Sequence, residues 1–231
     1  MQMDLYRIAA SGLKIVILCL TLVGCHHDDP PVPPVPSEPE TQITISGQIM
    51  LGPVVDDHSL ELVLYSSDMR ELTRPKVNPD WTCDAVIKGY TGIIIAKLVD
   101  SGDSTPDYID EATGQPKNLG DNVLLSVIDI NSSAKDQKAK LNITPQSTVA
   151  AVKAGIDIVD DVVIPSIWLS KDTVAASNLL VSRAFDLGSK PITEIKAIPV
   201  ISADDGYQEG NSLGNVLAAI SGIEAFYNYA D

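Results

Sequence analysis

The chain has 231 residues, 45% of them hydrophobic, and its 31 acidic side chains outnumber 16 basic ones for a formal net charge of −15. A surface of that sign repels phosphate backbones, which excludes nucleic acid as a partner, and it disfavours adsorption to anionic lipid. With three cysteines and three histidines in the whole chain, neither a disulfide framework nor a histidine-rich metal site is available.

At the N-terminus, Arg7 and Lys14 flank an apolar run, Ile15 to Val23, that ends in Leu22-Val23-Gly24-Cys25. The run has the length of an export-signal core and falls well short of the roughly 20 residues a membrane-spanning helix needs. Leu-x-Gly-Cys in this setting resembles the lipobox of bacterial lipoproteins. The resemblance implies removal of residues 1–24 and lipidation of Cys25 (palmitate-class acyl chains and a thioether on sulfur). That thiol would then be neither redox-active nor a metal ligand. Each buried lipid methylene contributes about 0.8 kcal/mol, and two or more chains anchor stably. In Gram-negative members, Asp after the cysteine retains the protein in the inner membrane; His26 stands there, so an outer-membrane or cell-surface address is expected. The leader also carries away Cys19. Only Cys83 remains as a free thiol, expected to pack as a small apolar strand residue.

Residues 25–40 read as the lipidated cysteine and its tether. Six of the ten residues from Pro30 to Pro39 are proline, and ten residues of polyproline II reach about 30 Å. His26, His27, Asp28 and Asp29 are metal-ligating types, but a mobile tether cannot fix coordination geometry.

Residues 41–143 carry a β pattern. Ile43, Ile45 and Ile49 mark a first strand up to Gly52-Pro53, and Leu60, Leu62 and Leu64 alternate as in a half-buried strand. Turn residues follow through Asp68 and Asn78-Pro79-Asp80, then Trp81, Cys83 and Ala85 alternate again. Ile93 to Val99 and Val123 to Ile130 are nearly continuous apolar runs, as expected of strands buried on both faces. Lys138 to Ile143 alternates charged and apolar residues, like an edge or late strand. Six or seven such strands predict a β-sandwich.

From residue 144 to 231 the period becomes helical. Thr144 is an N-cap with Pro145 at the first helical position, and Val149, Val152 and Ile156 set an apolar stripe. A second helix is predicted from about Lys171 to Asp186 with Val174, Val181 and Phe185 inward, ended by Leu187-Gly188. A third starts near Ser212, with Leu213, Val216, Leu217, Ile220 and Ile223 on one face. On that third helix Gly214, Ala218 and Gly222 form a small-residue stripe for close approach. The expected class is α+β: an Ig-like or transthyretin-like β-sandwich followed by a small helical region.

The order of several short segments carries a further resemblance. They are Ile45-Ser46-Gly47, Gly52-Pro53, Leu64-Tyr65, Ala96 to Asp100, Tyr108 to Gly114, Leu119-Gly120, Asn142 to Pro145, and Leu217 to Gly222. Together they resemble a transthyretin-like or carboxypeptidase-regulatory-like module of large bacterial cell-surface, adhesin-like proteins, in which more domains often follow. Two turns depart from that pattern: Asp68-Met69-Arg70 replaces Asp-x-Gly, and Asn78-Pro79-Asp80 precedes Trp81 without a glycine. The resemblance implies a surface or interaction role and brings no catalytic residue with it.

No nucleophile-elbow, zinc-protease, dinucleotide or phosphate-loop motif occurs. His58, the last histidine, lies in the polar turn Asp56-Asp57-His58-Ser59. Ser132-Ser133-Ala134-Lys135 matches Ser-x-x-Lys without its companion motifs, so the chain is not expected to be an enzyme. No motif calls for a cofactor; calcium is the one candidate the residues suggest, since Asp100, Asp103, Asp107, Asp110 and Glu111 crowd one loop region and flexible oxygen-rich loops suit that ion, the alternative being solvated acidic loops. Asp204, Asp205 and Glu209 form a second, weaker acidic group. Asn142-Ile143-Thr144 fits a glycosylation acceptor and reads better as a helix cap. The function expected is a membrane-anchored lipoprotein serving adhesion or protein interaction, with a protein or surface glycan as partner. The alternatives are a ligand- or carbohydrate-binding lipoprotein and an exported hydrolase or accessory domain. Trp168 clustered with Tyr207, Tyr227 and Tyr229 would favour sugar binding; a deep pocket of converging carboxylates would favour the enzyme.

Overall fold

The computed structural model describes residues 41–55, 60–102, 105–130, 136–202, 206–207 and 209–228. Cys25, the leader, the tether, His58 and Ser132 to Lys135 lie outside these residues.

Two main sheets organise the first hundred described residues. One is three-stranded, with β1 (Gln42–Gln48) between β4 (Thr82–Lys88), antiparallel, and β9 (Asp136–Lys140), parallel. The other is four-stranded and antiparallel, in the order β3 (Glu71–Thr73), β2 (Leu60–Ser66), β5 (Gly92–Asp100), β8 (Leu124–Ile130). One hydrophobic cluster draws on both: Ile43 and Ile45 from β1, Cys83 and Ile87 from β4, Leu62 and Leu64 from β2, Ile94 and Leu98 from β5. A second covers the opposite face of the four-stranded sheet, where Ile93, Ile95, Leu125 and Val127 meet Ala151, Ala154 and Val174 from the helices. The chain is therefore β-rich α+β, with several sheets and, among the described residues, three helices. β5 and β8 are buried on both faces, as their apolar runs predict. β2 is more buried than its alternation predicts, because Val63 is covered as well.

The two turns that depart from the resemblance share one solution. Met69 has φ 62° and Trp81 has φ 63°, so ordinary residues stand in the left-handed conformation a glycine would adopt freely. Ser66 holds the first turn: its hydroxyl donates to the Asp68 carboxylate and to Arg70 O, and the Arg70 N–H donates back to it. At Gly47 the demand is close approach. A Cβ there would lie 2.0 Å from the Leu141 carbonyl oxygen, so only glycine lets the chain beyond β9 run alongside β1.

The helices are α1 (Pro145–Ala154), α2 (Lys171–Ala184) and α3 (Ser212–Asn228). Thr144 caps α1 as expected. Its side chain accepts from the Ser147 N–H, while the Ser147 hydroxyl accepts from the Thr144 N–H. Thr144→Ala should cost about 1 kcal/mol, measured as a lowered urea midpoint; an unchanged midpoint would remove the cap from the account of α1.

The stripe predicted for α1 is corrected. Val149 and Val152 are 48% and 47% exposed, and the buried face is Gln146, Ser147, Ala150, Ala151 and Ala154. The reason is the edge that α1 covers. β8 ends its sheet, and an edge strand leaves backbone donors and acceptors unpaired. Leu125 N–H donates to Thr148 Oγ1 at 2.8 Å, and Leu125 O accepts from Ser147 Oγ at 2.6 Å. One residue pair along, Val127 O accepts from Asn178 Nδ2 of α2 at 2.8 Å. Hydroxyl and amide side chains of two helices thus replace the missing strand, and small residues let the helix come close enough. Ile156, assigned to the helical stripe, is buried but opens a hairpin of β10 (Ile156–Val159) and β11 (Val162–Pro165), which turns on Asp160 and Asp161 at φ 47° and 62°. That two-residue turn with positive φ matches the twist of the flanking strands.

In α2, Val174 and Val181 are buried as predicted. In α3, Leu213 and Leu217 are buried while Ile220 and Ile223 are exposed. The small-residue stripe serves loops: a Cβ on Gly214 would lie 1.8 Å from Ile198 O, and one on Gly222 would lie 3.8 Å from the Ala112 Cβ. Met50, Ala150, Val181, Ile192, Ala197, Leu213 and Leu217 form the third cluster, which ties the helices together.

Candidate functional site

The acidic loop is built around a small hairpin of β6 (Tyr108–Ile109) and β7 (Pro116–Lys117). Asp107 is buried, and its carboxylate accepts from the Leu119 N–H at 2.6 Å. Asp110 is buried too. One of its oxygens accepts from Ala112 N, Thr113 N and Thr113 Oγ1; the other accepts from Lys117 Nζ and, on α3, from Ser221 Oγ, both at 2.7 Å. Burial alone would raise the Asp110 carboxyl, but Lys117, Ser221 and Thr113 together outweigh it and hold the group below the usual carboxylate range. Both carboxylates organise the loop, and Asp110 docks it on α3 through Ser221. Asp100 accepts from the Gly102 N–H at 2.9 Å. Asp103 lies outside the described residues.

Glu111 differs. It is 2% exposed, one oxygen accepts from the Val200 N–H at 3.1 Å, and Oε1 is buried without a hydrogen-bond partner. Burial first, with the neighbouring Asp110 charge adding to it, pushes its carboxyl up to about 7 against the Val200 N–H. The loop thereby reaches the segment leading to β12 (Ile201–Ser202) and β13 (Gly206–Tyr207). Glu209 is exposed, and Asp204 and Asp205 lie outside the described residues. Among the described residues no group of three or more His, Cys, Asp or Glu is arranged to hold a metal ion. The structure thus brings Asp110 and Glu111 together at α3 and Val200, and it engages Asp100, Asp107, Asp110 and one oxygen of Glu111 with the protein's own donors.

Cys83 packs as a small apolar strand residue, as expected, in the hydrophobic cluster that draws on both sheets, where burial pushes its thiol up to about 11. Asn142 is buried in a seam: its Oδ1 accepts from Gln48 N and its Nδ2 donates to Ile195 O, so the amide nitrogen a glycan would need is already engaged.

Two surfaces were not legible as such in the sequence. The first is the outer face of the β10–β11 hairpin. Register places Asp157, Val159, Val162 and Ile164 on one side, all exposed, and Ile156, Ile158 and Val163 on the other, against the sheet. Lys97 Nζ donates to Asp161 O at 2.7 Å and fixes the hairpin tip. In the next loop Ile167 is 90% and Trp168 75% exposed. Val159, Val162, Ile164, Ile167 and Trp168 are thus large apolar side chains left in solvent within ten residues of sequence. The sequence signal was present in the alternation of Ile156 to Ile164 about Asp160-Asp161. The side chains of Tyr207 and Tyr227, and all of Tyr229, lie outside the described residues. The second surface is an open groove of about 940 Å³ between β9, α2 and the 3-10 turn Ile192–Glu194. Among the described residues no helix is long and apolar enough to cross a membrane.

No protein-family model matches the chain, and no curated protein matches it. Among solved structures, it is similar to the crystal structure of a DUF3823 family protein from Parabacteroides merdae. That similarity has 11% identity and a TM-score of 0.27, and spans 46% of this chain and 45% of that one.

Proposed function

We propose that the chain is a lipid-anchored, exported interaction module whose two main sheets form a transthyretin-like sandwich, held out from an outer membrane by Cys25 and the proline-rich tether to bind a protein partner. The sandwich reading is supported by the single hydrophobic cluster that draws on both sheets. The observation that carries the interaction reading is the exposed outer side of the hairpin, Val159, Val162 and Ile164, followed within four residues along the chain by the exposed Ile167 and Trp168. Asp157, Asp160 and Asp161 border it, so its complement is an apolar surface rimmed by Lys or Arg; a second copy of this chain would bring acid against acid.

A photo-crosslinking residue placed at Ile167 in whole cells tests this. A discrete adduct is expected there and none at Val86, which is exposed on β4 of the other sheet. Trp168→Ala should weaken the interaction about tenfold or more, as truncating an aromatic anchor does. No adduct at Ile167 would overturn the interaction reading. The anchor is tested separately: radioactive palmitate should label the wild type and not Cys25→Ala, and an unlabelled wild type would remove the anchor while leaving the binding face intact.

A further inference from the structure

The two edges beside the groove are treated differently. The β8 edge is capped at Leu125 and Val127 by helix side chains. Among the described residues β9 pairs only with β1. The direction of its backbone groups can be followed past its end. Leu141 N–H donates to Ser46 O and Ile143 N–H to Gln48 O, both towards β1, whereas Asn142 N–H donates the other way, to Thr193 O at 2.8 Å. Backbone groups alternate sides along a strand. The even-numbered residues Asp136, Lys138 and Lys140 therefore turn their N–H and C=O groups to the open edge. Thr193 already occupies the first outward position, and among the described residues no strand continues that line along β9. Ala175, Leu179 and Pro191 form a partly apolar wall facing it.

We infer that the open edge of β9 is a strand-acceptor site: an extended segment of a partner polypeptide adds to Asp136–Lys140, placing carboxylates opposite Lys138 and Lys140 and a cation opposite Asp136. The chemistry follows from the strand. Asp136, Lys138 and Lys140 are exposed and two residues apart, so their side chains project from one face and read every second residue of a neighbour. Five residues of strand span about 17 Å, the footprint of a short peptide. Main-chain hydrogen bonds supply the attachment, and the alternating side chains select. Asp129, Asp172 and Glu194 also line the groove, beside Lys171, so a uniformly acidic segment is disfavoured there and the match is positional, with carboxylates set only against Lys138 and Lys140 and a cation against Asp136. The site is separate from the apolar hairpin face, and neither reading depends on the other.

The test uses the full chain and a fluorescein-labelled peptide, Thr-Glu-Val-Glu-Val-Lys-Thr, with Thr-Lys-Val-Lys-Val-Glu-Thr as its charge-reversed counterpart. Saturable anisotropy is expected for the first alone, with slowed hydrogen exchange at the Lys138 and Lys140 amides. Lys138→Glu with Lys140→Glu should weaken it about tenfold and bring the reversed peptide in. Lys138→Pro removes one outward donor while leaving the β1 ladder intact, as proline is tolerated facing out of an edge strand; it should weaken the first peptide with an unchanged circular dichroism spectrum. Trp168→Ala should bind the peptide as the wild type does, which separates this site from the hairpin face. Equal binding of the two peptides, binding without amide protection, no binding at all, or protection that arises from self-association in sedimentation without peptide would each overturn the proposal.

Discussion

Asn142→Ala is expected to lower the unfolding free energy by about 3 kcal/mol. The buried carboxamide satisfies two backbone groups from distant parts of the chain, Gln48 N–H at 2.9 Å and Ile195 O at 2.8 Å. Truncation leaves both without this partner, at roughly 1–3 kcal/mol for each buried group. The seam is reinforced alongside: Ser126 Oγ donates to Asn142 O, and Ala197 N–H donates to Gln48 Oε1. Urea unfolding should show the midpoint fall with the slope unchanged, because sheets and helices share buried clusters and unfold together. A loss under 1 kcal/mol would show that the seam is replaceable. A separate second transition would show that the helical region comes away as its own unit.

Stability should fall by about 2 kcal/mol between pH 4.5 and 8, and Glu111→Gln should abolish that fall. The folded-state carboxyl of Glu111 is raised from an ordinary 4.5 to about 7, so in this range the folded protein binds a proton the unfolded chain has released. A group raised in this way contributes stability that is complete below the unfolded value and is lost as pH climbs through the folded one. A shift of this size is worth about 3 kcal/mol at full strength, and solvent near the loop reduces it. Glu111→Gln keeps an acceptor for Val200 N–H. It should match the wild type near pH 5 and exceed it by about 2 kcal/mol at pH 8. Asp110 acts in the opposite sense, since its depressed carboxyl contributes stability above its ordinary value and loses it only as pH falls below about 4, outside the window used. Parallel curves for wild type and variant would rule out Glu111 as the titrating group.

Much of the framework was legible in the residues. The apolar runs at Ile93 to Val99 and Val123 to Ile130 are the doubly buried strands β5 and β8, and the alternation read over Lys138 to Ile143 overlaps β9, which runs from Asp136 to Lys140 at the end of its sheet. Thr144-Pro145 starts α1, and α2 follows its predicted stripe. The misses have physical causes. The inward face of α1 is small and polar because it satisfies β8's backbone, so a search for large apolar residues selected Val149 and Val152 on its outer side. Asp107, Asp110 and Glu111 look alike in sequence. Neighbours from α3, Leu119 and Val200 separate them into Asp110, which gathers several donors, Asp107, held by the Leu119 N–H, and Glu111, with a bare buried oxygen.

By itself, then, the sequence determined the net charge, the strand and helix periods, the cap at Thr144 and the lipobox-like segment at Cys25, because each of these rests on composition or on neighbours within a few residues. Tertiary structure alone decided that helix side chains cap the β8 edge, which carboxylate titrates near neutrality, and that Trp168 stands clear of the core. Those properties depend on which groups from remote segments reach a given atom, and backbone hydrogen bonding and desolvation are settled only when the chain closes on itself.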